Sequence, residues 1–543
     1  MEPILRHVRP AAHVQSAVML NEPQAVRPRS WAAPGAAPGI VGVVLLSAAW
    51  VTWRWMDQNS PLYIYDPADH LNEAAAVVRQ PADYFKAKNQ WWAPLYHIVL
   101  GCLLWLTDDS VRASTALVNL GFFSLLAWST FKIGETLHSA AAGAVAASIL
   151  LSYPAIFIHL RYPMIDLPLT AMTSVTVMAL MRCGPFEHRR SVLVGILGGL
   201  GMLTKQAFAW GVLLPAALSL SKIRSRRGIA HATAALALAL VIALPYYHPR
   251  LSFYRGYWQS AQNAYALARG DLGPSTQFGL VSPLIGVWHQ ASLGLTVAWL
   301  ISLPGFLRSE RRAELALWFA GTLAFVTFLP LRDTRYMMPA LPAMALMTAV
   351  GLMRARLSFL SIVLTIGFGA LQLWAVSFDA PWWPSGSPVS NGVAPAERFQ
   401  FFTQRFHLLG NPKPDPDGLG VARDLGSLEG RIAVFGDRIV RDAIRSQHAG
   451  VRRSPPVRSL ALLSSCDDPS LPLMDYVVWQ VGGPTAPKPE FDPGDCLAGF
   501  QQVDHLKVTN PEFLLGTREL LVFAPRPLTP SAKLLSPEPR GPR

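Results

Sequence analysis

Charge is scarce in this sequence. Asp, Glu, Lys and Arg make up 15% of its 543 residues, where an ordinary globular domain carries about a quarter. That shortage excludes a single soluble domain with a fully solvated shell. The length does too, because cores stop growing near about 250–300 residues. Cysteine is scarce as well: Cys102, Cys183, Cys466 and Cys496 are the full set, and their spacing matches no metal site. No signal-peptide pattern opens the chain, since no apolar core directly follows the first basic residues. Apolar residues are what the chain has in plenty. Hydrophobic residues are 51% of it and the mean hydropathy is +0.28, which excludes disorder for most of its length. The expected class is a polytopic α-helical membrane protein with some soluble mass attached.

The charge that is present is unbalanced, with 47 basic against 34 acidic residues and a net of +13. In a soluble chain that excess would suggest nucleic acid. Here the basic residues fall between apolar runs and form no stripe, as expected of cytoplasmic loops; no nucleic-acid partner is expected. Four loops carry them: Arg182 with Arg189 and Arg190; Lys222 with Arg224, Arg226 and Arg227; Arg308 with Arg311 and Arg312; Arg354 with Arg356. Placing all four inside puts Arg161, Lys205, residues 246–279 and Arg332–Tyr336 on the opposite face.

The chain divides into three regions. Residues 1–37 read as a disordered cytoplasmic tail, 38–378 as a transmembrane domain with an external first loop at 57–90, and 379–543 as an external soluble α/β domain. Strands are expected at Ile432–Phe435, Tyr476–Trp479 and Leu520–Phe523. The run 91–107 breaks the alternation of sides and reads as re-entrant, giving about 11 crossings, or conceals a missed span, giving about 13. Cys466 and Cys496 pair if their region is outside the cytosol, or are two free thiols.

The first loop holds Tyr65-Asp66-Pro67-Ala68-Asp69-His70-Leu71-Asn72-Glu73. On a helix Asp66 shares a face with His70, and Asp69 with Glu73; Pro67 suits the first turn, with Asp66 at its cap. This is the pattern of a capped juxtamembrane helix, and equally of a general base or acidic metal site at the membrane surface. Asp166 follows Arg161-Tyr162-Pro163-Met164-Ile165 at the outer start of an apolar helix. A carboxylate there is either a helix cap or functional. Lys205 interrupts two apolar runs on the face that positive-inside bias disfavours, so an anionic partner such as a lipid phosphate explains it. Arg335 adds a cation on that side, or pairs with Asp333 together with Arg332. Tyr246, Tyr247 and the aromatics after them read first as an interfacial belt.

These segments in order resemble a family. Asp66 with His70 and the Ala-rich helix after them, Ala93-Pro94-Leu95-Tyr96, Arg161–Asp166, the Gly-rich run ending at Lys205, and Arg335-Tyr336-Met337-Met338-Pro339 are similar to motifs of GT-C fold membrane glycosyltransferases. The likeness is to the protein O-mannosyltransferase and aminoarabinose lipid A transferase group and covers about residues 40–350. It implies a transferase using a sugar linked to a polyprenyl phosphate, with a lipid, glycan or protein acceptor, working on the external face of a bacterial inner membrane. By that resemblance Asp66 is the base on the acceptor hydroxyl, with Asp69 as its alternative and His70 beside it. Asp166 shapes the site, and Lys205, Arg335, Tyr336 and Arg161 hold the donor. Trp91-Trp92 stand where relatives carry an acidic–basic pair, so no metal ligand is carried over, and a divalent cation is left open. The competing classes are a transporter or lipid flippase, which should show ionisable residues within its spans, and an inactive relative whose C-terminal region binds a partner.

Overall fold

A computed structural model describes residues 36–58, 66–88, 92–184, 190–256, 290–328 and 334–378. In the C-terminal region it describes 430–435, 457–463, 470–482, 500–507 and 517–525, with a few single positions between. Fifteen helices of this set are α1 (Ala36–Gln58), α2 (Asp66–Arg79), α3 (Pro81–Lys86), α4 (Pro94–Leu106), α5 (Val111–Leu137), α6 (Ala140–Ser152), α7 (Pro154–His159), α8 (Asp166–Cys183), α9 (Ser191–Met202), α10 (Phe208–Ser221), α11 (Arg226–Tyr247), α12 (Leu293–Leu307), α13 (Arg312–Phe328), α14 (Leu341–Met353) and α15 (Ser358–Ser377). A 3₁₀ segment, Thr334–Ala340, leads into α14.

Hydrophobicity is distributed as in a lipid-embedded bundle. α8 and α14 are enclosed on nearly every side: Leu341 through Leu352 are all buried. α1, α11 and α15 turn Leu46, Trp50, Leu240, Val241, Phe359 and Leu364 outward. An apolar exterior of this extent has no place in water. Five helices among the described residues are long and apolar enough to cross a membrane: Ala36–Asp57, Val111–Leu137, Arg226–Gly256, Arg335–Met353 and Ser358–Ala375. Several others are shorter because the sequence breaks them. At about 1.5 Å per residue, the 13 residues of α6 span only roughly 20 Å. The chain resumes as α7 at Pro154, whose ring suits a first turn and cannot continue the preceding helix.

Two breaks position polar side chains inside the bundle. Leu203-Thr204-Lys205-Gln206 separates α9 from α10, so Lys205 lies in a turn instead of a helix. The backbone N–H of Leu95 donates to Leu203 O at 2.9 Å, tying the start of α4 to that turn. The other break, 160–165, precedes α8. Asn119 of α5 holds it, its side-chain amide donating to His159 O at 3.0 Å and Tyr162 O at 2.8 Å. Tyr96 donates to Asn119 Oδ1. α5 and α8 are further joined by Ser129 and Ser174, whose hydroxyls lie 2.7 Å apart in the core. α5 approaches α6 where Gly134 meets Gly143; a Cβ on Gly134 would lie 2.5 Å from Gly143 Cα.

Tyr246 and Tyr247 correct the belt expectation. Both are buried, and their hydroxyls donate inward, to Trp92 O at 2.7 Å and Met202 O at 2.6 Å. They bind α11 to the segment before α4 and to the end of α9.

The C-terminal region forms a five-stranded sheet of β1 (Gly430–Phe435), β2 (Val457–Leu463), β3 (Tyr476–Gly482), β4 (Phe500–Lys507) and β5 (Thr517–Pro525), in the order β2-β1-β3-β5-β4. β1 runs parallel to β2 and β3, while β5 is antiparallel to β3 and β4. The three expected strands are β1, β3 and β5. Gly430 opens β1 at φ 94°, where a Cβ would meet the Asp475 carboxylate that accepts from Arg431 N–H. Cys466 and Cys496 lie outside the described residues.

Candidate active site

Four breaks or helix starts converge on one cluster. Asp66 is the first residue of α2 and Asp166 the first of α8, so each carboxylate lies at the positive end of its helix. Lys205 comes from the α9–α10 turn, and Arg335 and Tyr336 from the 3₁₀ segment. The acids and the cations meet as two ion pairs. Lys205 Nζ donates to Asp166 Oδ1 at 2.8 Å, with side-chain exposures of 8% and 1%. Arg335 Nη1 lies 2.7 Å from Asp66 Oδ2, with exposures of 15% and 28%. Tyr336 stands between the two cations, its ring centroid 4.7 Å from Lys205 Nζ and 6.0 Å from Arg335 Cζ. Asp66 and Asp166, a hundred residues apart in the chain, are thus brought into one place.

Each cation has a carboxylate partner from a distant part of the chain. Lys205 has an anion within the chain, Asp166. Arg335 pairs with Asp66, far away in sequence, whereas Arg332 and Asp333 lie outside the described residues. Asp166 Oδ2 is buried and, among the described residues, has no hydrogen-bond partner. One carboxylate oxygen is thus engaged and the other is open to a further donor.

Arg161 is held elsewhere in the interior. Its guanidinium donates to the Ser377 hydroxyl and lies over Trp55 at 4.9 Å and Phe157 at 5.4 Å. These contacts lock the 160–165 turn against α1 and the end of α15. Asp69 is partly exposed on α2, one turn from Asp66. Trp92 packs its ring edge on His70, centroids 4.6 Å apart; Trp91 lies outside the described residues.

His70, one turn beyond Asp66 on α2, is fully buried. Its pKa is pushed well below the usual imidazole value, first by burial and then by His97, Lys205 and Arg335; Asp166 opposes them. A depressed folded-state pKa means that acid favours the unfolded chain, which binds a proton the folded one refuses. Stability due to neutral His70 is therefore present above about pH 6.5 and declines as pH falls below it. The thermal midpoint should drop between pH 7.5 and 5.5, and drop less in His70→Gln. An equal drop in the two proteins would show that His70 is not the group responsible.

His97 is the site residue that sequence reasoning misses. It sits on α4, buried, with Nε2 3.0 Å from His70 Nδ1. The signal was available: an ionisable residue inside an apolar run is itself a flag. Among the described residues no group of three His, Cys, Asp or Glu side chains is arranged to hold a metal ion.

No family model matches the chain, and no curated protein matches it. Solved structures do. The chain is similar to ArnT from Cupriavidus metallidurans bound to undecaprenyl phosphate, with a TM-score of 0.56 and 13% identity over 90% of this chain and 98% of that one. The apo state of that protein gives the same TM-score and coverage at 15% identity. The archaeal oligosaccharyltransferase AglB from Archaeoglobus fulgidus, in complex with an inhibitory peptide and a dolichol-phosphate, gives 0.44 at 13% identity over 78% and 65%. The chain is a multi-pass membrane protein with the GT-C fold.

Proposed function

We propose that this protein is a glycosyltransferase that moves a sugar from a polyprenyl-phosphate donor to a hydroxyl acceptor at the external face of the membrane. The observation that carries the reading is a pair of cations, buried Lys205 and partly buried Arg335, gathered with two carboxylates at helix ends. The fold is that of a protein whose crystal structure holds undecaprenyl phosphate. Displacement at a sugar carbon needs charge stabilisation on the departing phosphate and a base on the attacking oxygen. Lys205 and Arg335 supply the first, with Tyr336 keeping both in place. Asp66 supplies the second.

The two roles are coupled. In the free protein each cation is occupied by a carboxylate. A donor phosphate competes for Arg335, and Asp66 is released as that happens. The acceptor's O–H proton passes to Asp66 as its oxygen bonds to the sugar carbon. The sugar–phosphate bond breaks with its electron pair on the phosphate oxygen, between Lys205 and Arg335. Asp166 keeps Lys205 aimed at the site, and Asp69 lies one turn from Asp66 on α2, partly buried as Asp66 is. Arg161 acts through the 160–165 turn that carries Asp166. Residues 38–378 form the catalytic region, 1–37 a cytoplasmic tail and 379–543 an external domain. A transporter would distribute its ionisable groups along its spans; Asp66, Asp166, Lys205 and Arg335 gather at helix starts and turns, which favours surface chemistry.

The test is transfer itself. Purified protein in lipid, given radiolabelled undecaprenyl-phosphate-linked pentoses and hexoses with envelope lipid, glycan and protein fractions, should label one fraction. Arg335→Gln should weaken competition by undecaprenyl phosphate by roughly tenfold or more. A protein that labels no fraction, yet carries the glycolipid from one leaflet to the other, would overturn the reading in favour of a flippase.

A further inference from the structure

The transfer scheme leaves two buried rings without a task. α2 and α4 pack together and bring His70 Nδ1 to 3.0 Å from His97 Nε2. His97 Nδ1 is in turn 3.0 Å from the carbonyl oxygen of Ala93, one turn earlier on the same helix. A carbonyl oxygen only accepts, so the hydrogen there belongs to His97 Nδ1. A neutral imidazole carries one such hydrogen, which leaves His97 Nε2 bare and able to accept. His70 Nδ1–H is therefore the donor between the two rings, and His70 Nε2 is left as a bare lone pair.

That lone pair is buried and, among the described residues, has no hydrogen-bond partner. It lies in the field of Asp166, Lys205 and Arg335, and Asp166 itself carries a second buried acceptor with no partner among those residues, Oδ2. Two buried acceptors without partners among those residues, on side chains that interact electrostatically with the same two cations, call for a ligand that brings hydrogen-bond donors. A sugar joined to a phosphate held by Lys205 and Arg335 would bring hydroxyls to these acceptors. A neutral hydroxyl suits the position, because both cations disfavour positive charge there.

We propose that His70 Nε2 binds the transferred sugar by accepting a hydrogen bond from one of its hydroxyls, and that His97 is the positioning residue that makes His70 an acceptor. This rests on the glycosyl-transfer reading. His97 touches no substrate. Its work is to pin the His70 tautomer through the Ala93 carbonyl.

The test uses the full chain in lipid vesicles, labelled with ¹⁵N-histidine and read by solid-state NMR, the His70 signals being assigned by their loss in His70→Gln. The expected result is a protonated Nδ1 and an unprotonated Nε2. Undecaprenyl-phosphate-linked pentoses or hexoses should shift Nε2, and undecaprenyl phosphate alone should not. A protonated Nε2 in the free protein overturns the proposal. So does an Nε2 that responds equally to the lipid with and without sugar.

Transfer kinetics give an independent readout. His97→Gln keeps an acceptor for His70 Nδ1–H and should leave KM for the glycolipid within about threefold, whereas His97→Leu should raise it roughly tenfold or more with a smaller change in kcat. Equal effects of the two variants would make His97 merely structural and overturn its role. Failure of the wild-type protein to transfer from any glycolipid would sink the activity while leaving the nitrogen shifts to decide the sugar contact by binding alone.

Discussion

Asp66→Asn should reduce sugar transfer by roughly 10²–10⁴-fold, the range a general base contributes, while undecaprenyl phosphate binds up to about fivefold more tightly. The two effects have opposite signs because Asp66 has two partners at different stages. In the proposed reaction it receives the acceptor's proton as the base, and an amide cannot. In the free protein it also occupies Arg335 at 2.7 Å, so a donor phosphate has to displace it. An asparagine side chain there would hold the guanidinium with a neutral hydrogen bond at most. The gain is small because Asp66 and Arg335 are partly solvated, at 28% and 15% exposure, and such pairs contribute about 1 kcal/mol or less. Single-turnover transfer measures the first effect, and competition by undecaprenyl phosphate measures the second. Asp69→Asn is the control. It removes a carboxylate from the same helix one turn away, and should leave both quantities nearly unchanged. Loss of transfer in Asp69→Asn with full activity in Asp66→Asn would move the base to Asp69.

Much of this architecture is legible in the sequence, and the exceptions share a physical cause. The shortage of charge announces the membrane, and Asp66-Pro67 announces the first turn of α2 because capping and proline chemistry are local. The interruption at Lys205 likewise marks the break between α9 and α10. The three strands that the sequence reveals, β1, β3 and β5, are the interior strands of the sheet, where burial on both faces demands apolar residues. The two that escape notice, β2 and β4, are its edges. β4 is Phe500-Gln-Gln-Val-Asp-His-Leu-Lys, a composition that protects an exposed edge and disguises a strand.

Pairing is the part the sequence withholds. Lys205 needs an anion, and spacing cannot show that Asp166 provides it. Arg335 pairs with Asp66, at the start of a helix far away in sequence, and no spacing announces that contact. His97 is easily overlooked because its neighbours are apolar and its partner lies on another helix. Tyr246 and Tyr247 have a membrane-belt composition, but their hydroxyls find backbone carbonyls inside the bundle. In each case the residue type is visible and the partner is tertiary.

Lys205→Met should lower transfer by roughly 10²–10³-fold, the loss typical of removing one preorganised group from a developing charge. It should also destabilise the fold by about 3–5 kcal/mol, because Asp166 is then a buried carboxylate with its cation gone. A single variant therefore confuses two effects that the geometry keeps distinct. The double variant Lys205→Met with Asp166→Leu separates them. Taking both charges out of a dry site removes the desolvation cost together with the attraction, and well-packed apolar replacements of buried ion pairs are commonly neutral or stabilising. The pair is dry enough for this to hold, at 8% and 1% exposure. Unfolding followed by tryptophan fluorescence should thus return close to the wild-type midpoint, while transfer stays low and undecaprenyl phosphate binding stays weak. Recovery of transfer along with stability would show that Lys205 serves only to neutralise Asp166, and would leave Arg335 as the phosphate's partner. Persistent instability with near-normal transfer per folded molecule would remove Lys205 from the phosphate site by a different route. The outcome expected from two cations gathered around one aromatic ring is a stable protein that has lost half its hold on the leaving group.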